Sequence, residues 1–428
     1  MRADPQSPRR SSKHLPVWII AGVAALLCIP GAVWWIGESP RPGQAEILPA
    51  QESAPAPADE AAASAAEPPV PDERDATGVE RAGVDASTFY KDAFALFDRL
   101  TDAEKEMMRG PNEEVDAEKA DALFAKIQPI MELLRRGAAA DYCDWGLGPI
   151  GFDTPLPLIA KSQQLAMVAL WNAAYRFPSD AEGAIDDLAA RARLGHDVAD
   201  TLIGWLVEAS FEKSATGLLL QNASSLSDNA QARARDFLGS SSLDMDMERA
   251  MSAEIEQSQG VFERLAAQQP EERPKFAQLQ GPDRLTSSEE DRMFEQFIRD
   301  PARLKAEAQD VRNMQSQMTE AMFWPDARFA EWAQQFSASH ASEHPLVVSA
   351  FESMPEIRAK LQIRRIEREM MNAGITVLQS GPEQLSQSRD PVTGRPFAYV
   401  PTPDGFELRS TFQVKGKPMT MTFAQPKQ

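Results

Sequence analysis

The chain has 428 residues and a formal net charge of -20. That charge argues against a nucleic-acid binder, because phosphate recognition needs clustered basic side chains. Two cysteines, Cys28 and Cys143, exclude a disulfide-rich scaffold and a zinc site built from several thiolates. Apolar residues at 43% and charged residues at 25% are ordinary for globular protein, so much of the chain is expected to fold.

The first element is PVWIIAGVAALLCIPGAVWWI, residues 16–36, without a charged side chain. A helix of that length spans about 30 Å, the thickness of a bilayer's hydrocarbon core. Trp18 lies at one end and Trp34 and Trp35 at the other, where interfacial aromatics belong. Pro30 is tolerated in a membrane helix. Arg2, Arg9, Arg10 and Lys13 precede the run against the single acid Asp4. The positive-inside rule then keeps residues 1–15 in the cytoplasm and exports the remainder to the periplasm, making the lipid bilayer the first partner, through 16–36. Gly43-Gln44-Ala45 would serve as a signal cleavage triplet, but the apolar run exceeds the usual signal core. Leu26-Leu27 before Cys28 are too large for a lipoprotein acylation site, so Cys28 reads as an apolar residue of the span.

Residues 37–86 are rich in Ala, Pro and acidic side chains, as in QESAPAPADEAAASAAEPPVPDERDA. Such a segment buries too little apolar surface to offset chain entropy and reads as a disordered tether. As a flexible coil it reaches about 40 Å root-mean-square.

From residue 87 to 380 the pattern is helical. Phe89, Ala93, Phe97 and Leu100 mark one helix face behind Ser87 as N-cap. Leu123, Ile127, Ile130, Met131 and Leu134 mark a second, with Gly137 near its stop. Further helices are expected over 156–176, 181–194, 197–221, 228–238 and 246–268, with a turn and cap at Pro178-Ser179-Asp180. Residues 270–290 read as a loop. Leu304, Ala308, Val311, Met314, Met318 and Met322 form an amphipathic helix after Pro301, which Trp324-Pro325 ends. A last helix over 356–378 sets Ile357, Leu361, Ile366 and Met370 against a charged face of Arg364, Arg365, Glu367, Arg368 and Glu369, expected to be solvated. No signature residue recurs at a fixed offset, so helical hairpins rather than a true repeat are expected.

Residues 381–428 change period. Phe397–Val400, Phe406–Phe412 and Met419–Phe423 alternate with period two around turns at Pro403-Asp404-Gly405 and Lys415-Gly416-Lys417-Pro418. This is a small antiparallel meander, and the helix at 356–378 is its nearest packing partner. The expected class is therefore mainly α: one N-terminal transmembrane helix, a multi-helix exported domain and a C-terminal β meander.

The run Asp390-Pro391-Val392-Thr393-Gly394-Arg395-Pro396-Phe397-Ala398-Tyr399, followed by Asp404-Gly405-Phe406-Glu407-Leu408, resembles the C-terminal tail of a group of membrane-anchored bacterial envelope proteins of uncharacterised activity. The resemblance covers about residues 356–412 and, more loosely, Cys143-Asp144-Trp145-Gly146. It implies a Gram-negative envelope setting and names no activity. The helix-then-sheet order and the Asp-Pro-x-x-Gly-x-Pro pattern also look like the C-terminal part of type II secretion pseudopilins, but this N-terminus lacks the Gly-Phe prepilin-peptidase site. Read as residues alone, Pro391 and Pro396 bracket a rigid turn, Gly394 supplies positive φ, and the motif is a folding element.

Several patterns point to chemistry. His340-Ala341-Ser342-Glu343-His344 is a literal H-x-x-E-H, which on one helix face would hold zinc with the glutamate as general base. Pro345 disfavours helical geometry at His344. Gly146-Leu147-Gly148-Pro149-Ile150-Gly151 matches G-x-G-x-x-G but lies between helices, and reads as a turn. Cys143 could pair with His196 as a nucleophile, although a lone cysteine beside Trp145 is more often packed. Asp244-Met245-Asp246-Met247-Glu248 imitates the start of a calcium loop without the required glycine. No catalytic, cofactor or metal residue is assigned. The expected function is a structural or protein-interaction role at the inner membrane, with envelope proteins as partners; the alternative is a zinc-dependent hydrolase using His340, Glu343 and His344.

Overall fold

The computed structural model describes residues 83–109, 117–146, 157–240, 243–268, 299–340 and 354–425. The proposed span at 16–36, most of the tether and the loop at 270–290 lie outside them. Among the described residues, no helix is long and apolar enough to cross a membrane. They are mainly helical and end in one small sheet.

Eleven α-helices are described: α1 Ala86–Asp98, α2 Asp102–Met107, α3 Ala117–Ala138, α4 Pro157–Arg176, α5 Ala181–Asp197, α6 Leu202–Asn222, α7 Asp228–Gly239, α8 Leu243–Ala267, α9 Pro301–Ala321, α10 Asp326–His340 and α11 Met354–Ser380. Three antiparallel strands follow in the order β1 Ala398–Thr402, β2 Gly405–Val414 and β3 Lys417–Ala424. The fold divides into two compact units. The larger contains α1–α7, α8 as far as Ala250, and the chain from Ala359 onward; the smaller contains the rest of α8, α9, α10 and the chain as far as Arg358.

The first helix starts earlier than its sequence suggests. Its N-cap is Asp85, whose carboxylate accepts from Ser87 N at 3.0 Å, while Ser87 Oγ donates to the same carboxylate at 2.6 Å. An aspartate two residues upstream offers the stronger acceptor, so Ser87 sits inside the helix and is buried. The buried face then runs through Tyr90, Ala93, Phe94 and Phe97, and Phe89 turns aside beneath the Arg136 guanidinium at 4.4 Å. Helix α3 buries Leu123, Ile127, Ile130, Met131 and Leu134 as the spacing requires. Gly137 lies near its stop as expected, one residue before the end at Ala138, and it has a second role. A Cβ there would lie 2.4 Å from the Tyr90 ring, so this glycine exists to let α1 close on α3.

Around these helices one core cluster joins α1–α5, with Leu165, Val168 and Leu194 opposite Ile127 and Leu134. A polar network crosses the same helices. Asp187 of α5 is fully buried; Arg135 Nε of α3 donates to it at 2.8 Å, Arg176 Nη1 at 3.0 Å and Asn172 Nδ2 at 2.6 Å, both from α4. Gln128 Nε2 of α3 in turn donates to Asn172 Oδ1 at 2.9 Å. Asp180 caps α5 through Gly183 N, as the turn at Pro178-Ser179-Asp180 predicts.

A second cluster is built from α4, α5, α6, α7, α11 and the sheet. Helix α11 contributes Ile366, Met370 and Met371, the sheet contributes Phe406, Leu408, Met421 and Phe423, and Phe397 joins them from just before β1. The helix at 356–378 is therefore the packing partner that the meander needs. The register pairs Tyr399 with Leu408, Phe406 with Phe423 and Leu408 with Met421, placing the aromatics on one face. Phe406 and Phe423 stack at 5.0 Å. The charged face of α11 differs from expectation: the Arg364 and Glu367 side chains are only 11% and 25% exposed and pair with each other. Burial raises the Glu367 pKa above its ordinary value.

The Asp-Pro-Val-Thr-Gly run is a turn organised by its aspartate. Asp390 is buried, accepts from Val392 N at 2.8 Å and Thr393 N at 2.9 Å, and receives the Ser410 hydroxyl from β2. Gly394 takes φ +68°, as the turn demands.

The smaller unit holds two helices with their own aromatic packing. Trp332 of α10 contacts Trp324, Phe329 and Phe336, with centroids 5.1–5.9 Å apart. Arg358 bonds Asp326 at 2.7 Å and the Trp324 carbonyl at 2.5 Å. Helix α9 ends ahead of Trp324-Pro325 as expected, but α10 is absent from the sequence expectation; Pro325 also precedes this new helix, where its missing N–H costs nothing.

Two substitutions test this packing in urea unfolding of the larger unit. Asp187→Ala leaves Arg135 and Arg176 without their shared carboxylate and is expected to cost roughly 3–5 kcal/mol. Gly374→Ala in α11 would ordinarily gain up to about 1 kcal/mol in helix propensity. Here its Cβ would lie 1.9 Å from the buried Phe423 ring, so overpacking wins and a net loss of about 1–3 kcal/mol is expected.

Candidate functional site

Polar groups that packing alone does not explain gather where α5 ends and α6 and α8 pass. Helix α6 is apolar on nearly every side, burying Leu202, Trp205, Leu206, Val207, Phe211 and Leu219, as a central helix does. Two glycines let its neighbours approach. A Cβ on Gly204 would lie 1.9 Å from the Val198 carbonyl oxygen, and one on Gly195 would lie 3.2 Å from Glu208 Cα and Cγ. This close approach brings His196, in the last turn of α5, against Glu208 of α6. Asp246 enters from the first turn of α8.

His196, Glu208 and Asp246 each present one ligand-type atom, and these atoms all lie within 4.8 Å of one another. His196 Nδ1 is 2.8 Å from Asp246 Oδ1 and 3.0 Å from Oδ2. Asp246 is 1% exposed and Glu208 3%. Burial, then the neighbouring Asp246 and Glu212, push the Glu208 carboxyl well above the ordinary range. Glu208 Oε2 is buried and meets no donor. The imidazole is about one third exposed, so the cluster has an entrance on one side.

Arg249, one turn beyond Asp246, borders that entrance. Its Nη2 donates to the His196 carbonyl at 2.6 Å, satisfying an acceptor at the α5 C-terminus. Its Nε lies 3.1 Å from Asp200 Oδ1, and Nη2 lies 3.4 Å from Asp246 Oδ1. Nη1 stands 3.4 Å from His196 Nε2. Because a guanidinium only donates, this geometry makes Nε2 the acceptor and puts the imidazole proton on Nδ1, facing Asp246.

Beside it, Asp197 accepts from Tyr90 Oη at 2.8 Å and Arg193 Nε at 2.9 Å, while its carbonyl accepts from Trp145 Nε1 at 2.7 Å. Burial raises the pKa of Asp197 and of Tyr90. Cys143 belongs to this latch and packs with the α1–α3 core. Burial, reinforced by Asp197, Asp85 and Asp200, pushes its thiol up, the opposite of what a nucleophile requires. His196, its hypothetical partner, is engaged with Asp246.

Of the H-x-x-E-H motif, His340 is the last residue of α10, and Glu343 and His344 lie outside the described residues. Of the glycine run, Gly146 is described, with φ +67°; Leu147–Gly151 lies outside. Asp244–Glu248 is not a loop: it forms the opening turns of α8 and turns Asp246 inward, leaving Met245 exposed. The cluster itself was not assigned from sequence. Its signal was a pair of carboxylates, Glu208 and Glu212, four apart in an otherwise apolar helix, a spacing that puts both on one face.

Comparison with known proteins finds no matching family model, no curated protein and no solved structure. The resemblance of the C-terminal tail rests on its motif residues alone.

The raised thiol gives a direct test. Alkylation of Cys143 by iodoacetamide at pH 8, followed by peptide mass spectrometry, is expected to be at least about tenfold slower in the native chain than in urea. Equal rates would mean an ionised, accessible thiol.

Proposed function

We propose that this chain is a single-pass protein of the bacterial inner membrane that holds a helical module in the periplasm, in a structural or protein-interaction role. The observation that carries this reading is the uncharged run at 16–36 between a basic flank and an Ala/Pro/acidic tether. A capped helix at Ala86–Asp98, next in sequence to the tether, is consistent with it. The protonated, packed state of Cys143 supports a structural part for the Cys-Asp-Trp-Gly stretch, and the hydrogen bonds of Asp390 support the same for the tail motif. The excess of acidic residues favours partners with basic surfaces, drawn by a long-range field that salt weakens.

Membrane fractionation and a topology reporter test the reading together. The full chain is expected to resist carbonate extraction, and alkaline phosphatase fused after Gln428 to be active. Deleting residues 1–36 should move the protein to the soluble cytosolic fraction. Full-length protein in the soluble fraction, or an inactive phosphatase fusion, would overturn the proposal, as would hydrolytic turnover by the purified chain.

A further inference from the structure

We propose that His196, Glu208 and Asp246 bind one first-row divalent cation, with zinc the best match, and that the ion pins α5, α6 and α8 together. Two independent observations meet here. The first is the donor set: an imidazole and two carboxylates from three different helices converge within 4.8 Å. The second is Glu208 Oε2, on a side chain 97% buried by its 3% exposure, which meets no donor. A buried carboxylate oxygen left without a donor is costly in a structure held by hydrogen bonds alone. A cation among the three ligands removes that cost.

Charge accounting favours the same conclusion. Asp246 and Glu212 both lie close enough to Glu208 to repel its carboxylate. Two adjacent buried carboxylates repel one another unless a positive charge lies between them. Arg249 only partly supplies it, because its guanidinium also faces Asp200 and the His196 carbonyl. One nitrogen and two carboxylate oxygens suit zinc or manganese and are a poor match for calcium, which takes six to eight oxygens. The partly exposed imidazole provides the route of entry.

The experiment uses the full-length chain in detergent, stripped with chelator and re-equilibrated with zinc chloride. Bound metal is counted by mass spectrometry after gel filtration, and melting is followed by circular dichroism. The unaltered chain is expected to retain about one zinc per molecule and to melt several degrees higher with zinc than without. Glu208→Gln and His196→Gln are each expected to weaken zinc binding at least about tenfold. His196, about one third exposed, keeps the test usable if the buried Glu208 variant fails to fold. His340→Ala separates this site from the H-x-x-E-H motif and should leave stoichiometry and melting shift unchanged. The proposal is overturned if the unaltered chain binds no zinc, if His196→Gln retains it at full affinity, or if His340→Ala abolishes it.

Discussion

The larger unit depends on one buried charge. Asp187 has no contact with solvent, yet three neighbours supply it with hydrogen bonds: a guanidinium from α3, and a guanidinium and an amide from α4. Leucine packing would accept several rotations of these three helices. A carboxylate that must reach Nε of Arg135, Nη1 of Arg176 and Nδ2 of Asn172 at once accepts one. The apolar residues supply most of the stabilisation, and the network fixes which faces they present. The register of α5 then decides everything at its far end, where Asp197 meets Tyr90 and His196 meets Asp246.

Buried polar groups recur along α5 and α6 in two distinct styles. Arg191, without a carboxylate, is bonded to two carbonyls and a hydroxyl: Nε to the Ala166 carbonyl at 2.8 Å, Nη1 to the Phe211 carbonyl and Nη2 to Ser214 Oγ at 2.8 Å. Burial lowers its pKa to about 9. It also lies 4.8 Å from the Phe211 ring, so its charge is spread over carbonyl dipoles and an aromatic face. That arrangement is closed and reads as architecture. The His196 cluster differs in one respect: its glutamate oxygen has no such partner.

Much of the fold was legible in the sequence. Period-3.6 apolar spacing located α3 by all five of its core residues, and period-two alternation located the meander and its helical partner. Asp180 and Gly394 announced their roles because caps and positive-φ turns are local. Errors occurred where a distant neighbour decided. Gly137 marks the end of α3, but its contact with Tyr90 shows only in the fold, and the cap of α1 passes from Ser87 to Asp85. Charged residues of α11 read as solvated because sequence cannot show what covers them. The His196 cluster was hidden for the same reason: its members come from three helices and share no spacing. Two of them had drawn notice separately, His196 as a possible partner for Cys143 and Asp246 in an incomplete calcium loop.

The start of the described fold has a mechanical consequence. Val84 and Asp85 lie alongside Asp141 and Tyr142 in a short parallel bridge. Ala86 N bonds the Tyr142 carbonyl at 2.8 Å, Asp141 N bonds the Val84 carbonyl at 3.1 Å, and Asp85 Oδ1 also receives Asp144 N at 2.9 Å. Any tension arriving along the preceding segment reaches this clasp before it reaches the helix core. The clasp ties that load to the stretch after α3 rather than leaving α1 to bear it alone, so a pull on the chain is shared between two points of the bundle from the outset.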